Sequence, residues 1–171
     1  MLKRIISIIM ISISIIILFY DYKKTNNNKE IIDEIIQDKG NNIYDGYIYI
    51  PKLDYKNVIS KNNVLDENKV YMLSDKKLIS NEYGNIILAG HNNKYVFSNI
   101  YKLSINDEII ISDFKNKYSY TVYIIKYINI KDKSVLDNIY NDKILTLITC
   151  TNNTQTRYIV QSKFNHIISH N

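Results

Sequence analysis

The 171-residue sequence contains a single cysteine, Cys150, so no intramolecular disulfide framework can staple it. It also lacks a Cys/His cluster of zinc-ligand spacing and any long basic run, and the two absences together argue against a nucleic-acid partner. Alanine is nearly missing: Ala89 stands alone among abundant Ile, Asn, Lys and Tyr. That bias reflects an AT-rich genome more than a physical demand, and the 16 tyrosines therefore carry little functional weight. No internal repeat occurs, and no heptad or apolar stripe in the later part defines an oligomer. What is present is a hydrophobic share of 46%, enough for the core of one ordinary domain at 20.2 kDa. The net charge of +5 is unevenly placed: Lys3, Arg4, Lys23 and Lys24 against Asp21 leave +3 within the first 24 residues. The basic pI of about 9.0 thus reports membrane topology.

Between Arg4 and Asp21 runs IISIIMISISIIILFY, uncharged and broken only by Ser7, Ser12 and Ser14, whose hydroxyls can bond back to the helix's own carbonyls. As a helix this run reaches about 24 Å, short of a hydrocarbon core of roughly 30 Å. Leu2 and the snorkelling side chains of Lys3, Arg4, Lys23 and Lys24 extend it to a marginal span. A cleaved signal peptide needs small residues just after its apolar core, whereas Phe19, Tyr20, Asp21, Tyr22 and Lys23 are large or charged, which favours an uncleaved anchor. Basic residues flank both ends, so charge orients the span only weakly; the expectation is a single pass of the cell membrane with a cytoplasmic amino terminus and the folded domain outside.

Residues 1–24 are accordingly read as a cytoplasmic stub and signal anchor. Residues 21–28 (DYKKTNNN) are polar and turn-prone and read as a tether. In KEIIDEIIQDKG, Ile31, Ile32, Ile35 and Ile36 share one helical face while Glu30, Asp33 and Glu34 face water, and Gly40 can end the helix. Residues 25–44 are thus a tether and a short amphipathic helix packed on the flank of a domain spanning 45–171. From Asp45 the pattern changes to short alternating or β-branched runs, GYIYIP, YMLS, NIILAGH, DEIIIS, YSYTVYIIKYINI, KILTLITC and TRYIVQSKF, separated by Asn, Asp and Lys clusters. Many short strands without long intervening helices predict an all-β sandwich or barrel, and closure as a barrel removes the exposed edges.

Cys150 ends the run ILTLITC, and Thr156 and Arg157 open the next one, so an antiparallel hairpin would set Arg157 beside Cys150. A nearby cation favours the nucleophilic thiolate, and a guanidinium offers a fixed fork of donors to a developing oxyanion. Taken alone, an isolated cysteine is more often a buried structural thiol, here next to a surface arginine. His91 follows NIILAG; strand alternation puts it on the side of Ala89, while Gly90 permits close approach of another backbone. A Cys and a His on separate strands invite comparison with nucleophilic catalysis. His166 and His170 lie in the last six residues, where fraying is expected.

LAGH at Leu88 to His91, the following YVFSNIYKL, VLD at Val135 to Asp137, TLITC at Thr146 to Cys150 and Arg157 in the next strand resemble, in order and spacing, the sortase family. The resemblance runs from Gly46 to Phe164. It implies a closed eight-stranded sortase-type β-barrel with short helices, preceded by a transmembrane helix. It also implies a cysteine transpeptidase that cleaves an LPXTG-like sorting signal between Thr and Gly. Cys150 would form the thioacyl intermediate, His91 would protonate the departing amine, and Arg157 would hold the substrate and stabilise the oxyanion. An amine of a cell-wall precursor or a pilin lysine would then resolve the intermediate.

By the same resemblance Ala89, Val135, Leu136 and Ile148 match walls of the recognition groove, and Thr149 orients the substrate by a hydrogen bond; ordinary core packing accounts for the apolar ones nearly as well. The stretch between YINI and KILTLITC is too short for the long insertion of class B, and the lid and C-terminal membrane segment of class C are not seen. A compact class A, D or E type remains, and the short loop from Cys150 to Arg157 fits class D somewhat better. The loop SDKKLISNEYG offers only Asp75 and Glu82, too few oxygens for the calcium site of stimulated class A enzymes, so no metal and no cofactor are expected. An L,D-transpeptidase fits poorly because Cys150 follows Leu-Ile-Thr instead of Ser-His-Gly, and papain-like proteases carry the reverse order of Cys and His. The non-enzymatic alternative is a membrane-tethered β-barrel module that binds peptides.

Overall fold

In the computed structural model, the residues described are 2–39, 43–60, 67–73, 83–136, 142–153 and 155–168. Gly40, Asp75, Glu82, Asp137 and His170 lie outside them. One helix, α1 (Leu2–Gln37), precedes strands β1 (Tyr44–Ile50), β2 (Tyr55–Ser60), β3 (Val70–Met72), β4 (Gly84–Gly90), β5 (Glu108–Ser112), β6 (Lys117–Asn129), β7 (Lys143–Cys150) and β8 (Thr156–Ile168). These strands close into a barrel in the order β1-β2-β3-β4-β7-β8-β6-β5. Neighbours are antiparallel except for the parallel pairs β2/β3 and β4/β7. The expected closed barrel is therefore present. Strand β2 (YKNVIS) was not among the expected runs. It lacks alternation because Asn57 is buried inside it, its amide donating to the carbonyls of Asn68 (2.9 Å) and Tyr95 (3.1 Å).

Strand alternation sorts side chains into two sets. Ile86 and Leu88 of β4, Leu145 and Leu147 of β7, and Tyr158 and Val160 of β8 point into the barrel, where they meet Ile48, Ile50, Phe97, Ile109 and Ile111. Gly90 belongs to this inner set. A Cβ there would lie 2.5 Å from Val96 Cγ1 and 2.6 Å from Phe97 Cδ2, so the close approach it permits is by side chains and not by another backbone.

The outer set of β4, β7 and β8 is covered over only part of its length. There the turn Ser134–Leu136 lies across the sheet, and the buried Asn85, Thr146 and Gln161 form a chain of hydrogen bonds beneath it. Gln161 Nε2 donates to Thr146 Oγ1 (3.3 Å), Thr146 Oγ1 to Asn85 Oδ1 (2.7 Å), and Asn85 Nδ2 to the Val135 carbonyl (2.8 Å). Beyond that turn the outer face is open toward Cys150.

The helix departs from expectation. Residues 21–28 are helical, and the span and the amphipathic segment form one helix of 36 residues, about 54 Å long. The first glycine is Gly40 and the only proline is Pro51, so nothing in the polar stretch breaks the helix. Thr25 Oγ1 bonds back to the Asp21 carbonyl (2.9 Å), and Asn26 donates to Glu30 one turn on (2.9 Å). Along the apolar run, Ser12 and Ser14 bond back to the Ile8 and Met10 carbonyls as expected, while the isoleucines are exposed. That part of α1 is long and apolar enough to cross a membrane.

The carboxyl-terminal part packs on the barrel flank at β2. Ile32 is buried there, worth about 1.5–3 kcal/mol. Lys29 pairs with Asp54 (2.9 Å), Asp33 with Lys56 (2.6 Å), and Asp21 with Lys94. All three pairs are exposed, so water and salt screen them and the burial of Ile32 dominates the contact. Asp33, expected to face water, is thus turned toward the barrel, and Ile31 is exposed.

Candidate active site

Cys150 closes β7 and Arg157 lies directly across from it on β8, as the hairpin predicts. The parallel pairing of β4 with β7 sets Ala89 opposite Ile148 and Gly90 opposite Thr149. One further step along this register brings His91 level with Cys150. His91 is thereby brought level with the Cys150–Arg157 pair, more than fifty residues on in sequence, at one end of three neighbouring strands. His91 and Cys150 are exposed and Arg157 is half-buried.

The loops that carry these residues are tied down by their own polar side chains. The His91 carbonyl accepts the Phe97 N–H (3.0 Å), and Asn93 Oδ1 accepts those of Tyr95 (2.9 Å) and Val96 (3.1 Å). Asn93 Nδ2 reaches the Glu67 carbonyl (2.7 Å). After Cys150, the hydroxyls of Thr151 and Thr156 bond to each other, and Asn153 Oδ1 accepts the Gln155 N–H (2.9 Å). Arg157 Nη1 donates one of the five guanidinium N–H groups to the Thr156 carbonyl (3.2 Å).

His91, Cys150 and Arg157 border a mostly apolar groove of ≈ 290 Å³ on the outer face of the barrel. Ala89, Ile148 and Thr149 also line it. Thr149 is buried, and its hydroxyl donates to the Gly90 carbonyl (2.8 Å). That bond stitches β7 to β4 and leaves the hydroxyl oxygen as an acceptor.

Val135 and Leu136 are not among the residues lining this groove. Val135 is buried with Ile128 and Ile159, and Ile148 packs against that cluster; it supports the groove wall from behind. Leu136 is 43% exposed beside it. The reason is the Asn85 bond to the Val135 carbonyl, which draws the turn down onto the sheet.

Conversely, Tyr71 of β3 and Leu73 just after it line the groove, and sequence reasoning missed both. Tyr71 pairs with Ala89 across β3/β4, a neighbour relation that no local pattern announces. A second, more polar recess shares Thr149 and Cys150 and continues past Asn92, Tyr127, Asn153 and Tyr158. Among the described residues no three His, Cys, Asp or Glu side chains gather as a metal ion would require.

This arrangement can present a thiol to a carbonyl held in an apolar channel, with a permanent cation and an imidazole at either side. Comparison with known proteins points the same way. Residues 48–165 match the family model of the Sortase domain. Over 118 residues the chain is 32% identical to sortase A of Listeria monocytogenes, a match covering 65% of this chain and 51% of that protein, so it spans about half the length of that curated relative. The crystal structure of Listeria monocytogenes sortase A superposes with a TM-score of 0.64 at 27% identity, covering 73% of this chain and 89% of that one. A Clostridium perfringens sortase D5 transpeptidase superposes with a TM-score of 0.66 at 29% identity, covering 80% of this chain and 95% of that one.

Proposed function

The chain belongs to the sortase family, and from that premise we propose that it is a membrane-anchored cysteine transpeptidase acting on an LPXTG-like sorting signal. The observation that carries this reading is the strand register: Cys150 opposite Arg157 and level with His91, at the mouth of an apolar groove.

In the proposed reaction the Leu-Pro part of the signal lies along Ala89, Ile148, Tyr71 and Leu73, with Val135 backing the wall and Leu136 flanking it. The Cys150 thiolate attacks the threonine carbonyl carbon. A C–S bond forms, and the carbonyl electrons move onto oxygen, where Arg157 donors meet the charge. As the oxyanion collapses, the C–N bond to glycine breaks and His91 gives its proton to the departing amine. An incoming amine then attacks the thioester and gives a proton to the now neutral His91 imidazole; a new C–N bond forms, the C–S bond breaks and the thiolate leaves, which restores the starting state. Arg157, permanently charged and planar, suits both anchoring and charge stabilisation.

The two recesses that meet at Cys150 support a two-substrate cycle, with the apolar one for the acyl donor and the polar one for the amine. The acceptor is an amine of the cell wall or of a pilin, and α1 anchors the enzyme with its amino terminus in the cytoplasm and the barrel outside. A compact class A, D or E type fits the short connections. The test is intact-mass analysis after mixing with an LPXTG peptide. A mass increase matching the peptide acyl through Thr, absent in Cys150→Ala, supports the reading. Binding without any adduct would favour the peptide-binding module.

A further inference from the structure

The helix α1 does not end where the apolar run ends. It continues alongside the barrel and is fastened to it at two heights. Lys29, Ile32 and Asp33 engage the start of β2, and twelve residues before Ile32 the uncharged run stops at Tyr20, about 18 Å lower along the helix axis. At that lower level Asp21 pairs with Lys94, and Lys24 Nζ stands 5.9 Å from the centre of the Tyr95 ring. The barrel is therefore strapped beside the helix at the point where the helix leaves the apolar layer.

Lys94 is three residues from His91, so their Cα atoms are at most about 11 Å apart. The headgroup layer of one leaflet is roughly 5–8 Å thick. The exposed side chains at this level are Phe19, Tyr20 and Tyr22 with Lys23, Lys24 and Lys94, a mix of aromatic rings and ammonium groups suited to the bilayer interface and its phosphates, while Tyr95 packs back against the barrel core.

From this we propose that α1 seats the loop from His91 to Asn99 in the phospholipid headgroup layer, so that the catalytic mouth faces chains displayed at the membrane surface. The proposal rests on the anchor reading of residues 2–20 and is independent of the chemistry assigned to the site. Asn93 and Asn57 hold the loop to the barrel, and the strap therefore sets the height of His91 and Cys150 as one unit.

The test uses the sole, exposed cysteine. Full-length protein carrying a donor fluorophore on Cys150 is reconstituted in vesicles of phosphatidylglycerol and phosphatidylethanolamine that contain a headgroup-labelled acceptor lipid. The expected result is strong energy transfer in the native chain, at least a two-fold loss when Lys56→Glu and Lys94→Glu reverse the strap, and recovery when Asp33→Lys and Asp21→Lys are added. Circular dichroism of each variant shows that the barrel is intact. Equal transfer in the native and reversed proteins, or no recovery in the compensated one, overturns the proposal. Vesicle flotation reports the anchor separately: a native chain that does not float defeats the anchor reading and the strap with it, whatever its activity on soluble peptide.

Discussion

Under the proposed mechanism the three side chains at the groove mouth have different duties, and substitution separates them. Cys150→Ala removes the only thiol in the chain and should abolish the mass-shifted adduct completely. His91→Ala leaves the thiol in place but removes the acid for the leaving amine, so peptide cleavage should fall by on the order of 10²-fold or more. Arg157 is one of only two arginines, and its guanidinium donates to the Thr156 carbonyl. If it acts through directed donors, Arg157→Lys should be nearly as damaging as Arg157→Ala, at roughly 10²–10³ in rate. Near-native activity in the lysine variant would show that charge alone suffices. Retained activity in all three variants would defeat the mechanism.

At the scale of elements, two contacts make separate predictions. The Gln161–Thr146–Asn85 chain holds the Ser134–Leu136 turn against β4 and β7. Asn85→Ala strands the Val135 carbonyl and the Thr146 hydroxyl in a buried place, which should cost about 1–3 kcal/mol in urea unfolding. A loss under about 0.5 kcal/mol would mean that the turn is held by Val135 packing alone. The strap between α1 and the barrel should depend on pH at both ends. Lys29, by hydrogen bond and then by charge, holds the Asp54 carboxyl below its ordinary range, a contribution present above the usual aspartate value and lost as pH falls through the lowered one. The Asp21 carboxylate raises the Lys94 ammonium, a contribution present below the usual lysine value and lost as pH rises through the raised one. Native protein should therefore exceed Lys29→Ala in stability by a small margin near pH 7, and the margin should vanish as pH falls through the lowered Asp54 value. A margin unchanged at low pH would assign it to the lysine stem packing.

For the whole molecule, barrel closure predicts that residues 45–171 fold and work without the amino-terminal part of α1. No residue of α1 is among those lining the groove, and the main core is built by the strands together with Val96, Phe97, Ile100 and Leu103 of the β4–β5 connection. A chain lacking residues 1–24 should keep the circular-dichroism spectrum of the barrel and cleave soluble peptide at the rate of the full chain. Loss of cleavage with the spectrum intact would mean that Asp21 and Lys24 position His91 as well as the membrane. The sequence alone was sufficient for features governed by near neighbours. The uncharged run, seven of the strands, the shared side of Ala89 and His91, and the pairing of Cys150 with Arg157 all follow from hydropathy, pleat alternation or a short hairpin. Tertiary structure decided what depends on non-local register. Strand β4 lies parallel to β7 across more than fifty intervening residues, and only that pairing brings His91 to Cys150. The same holds for Tyr71 and Leu73 reaching the groove by way of β3, and for Val135 being drawn behind Ile148 by Asn85. The unbroken α1 has the same origin: residues 21–28 are tolerant of helix but do not demand it, and the ion pairs and the burial of Ile32 against the barrel favour that one conformation.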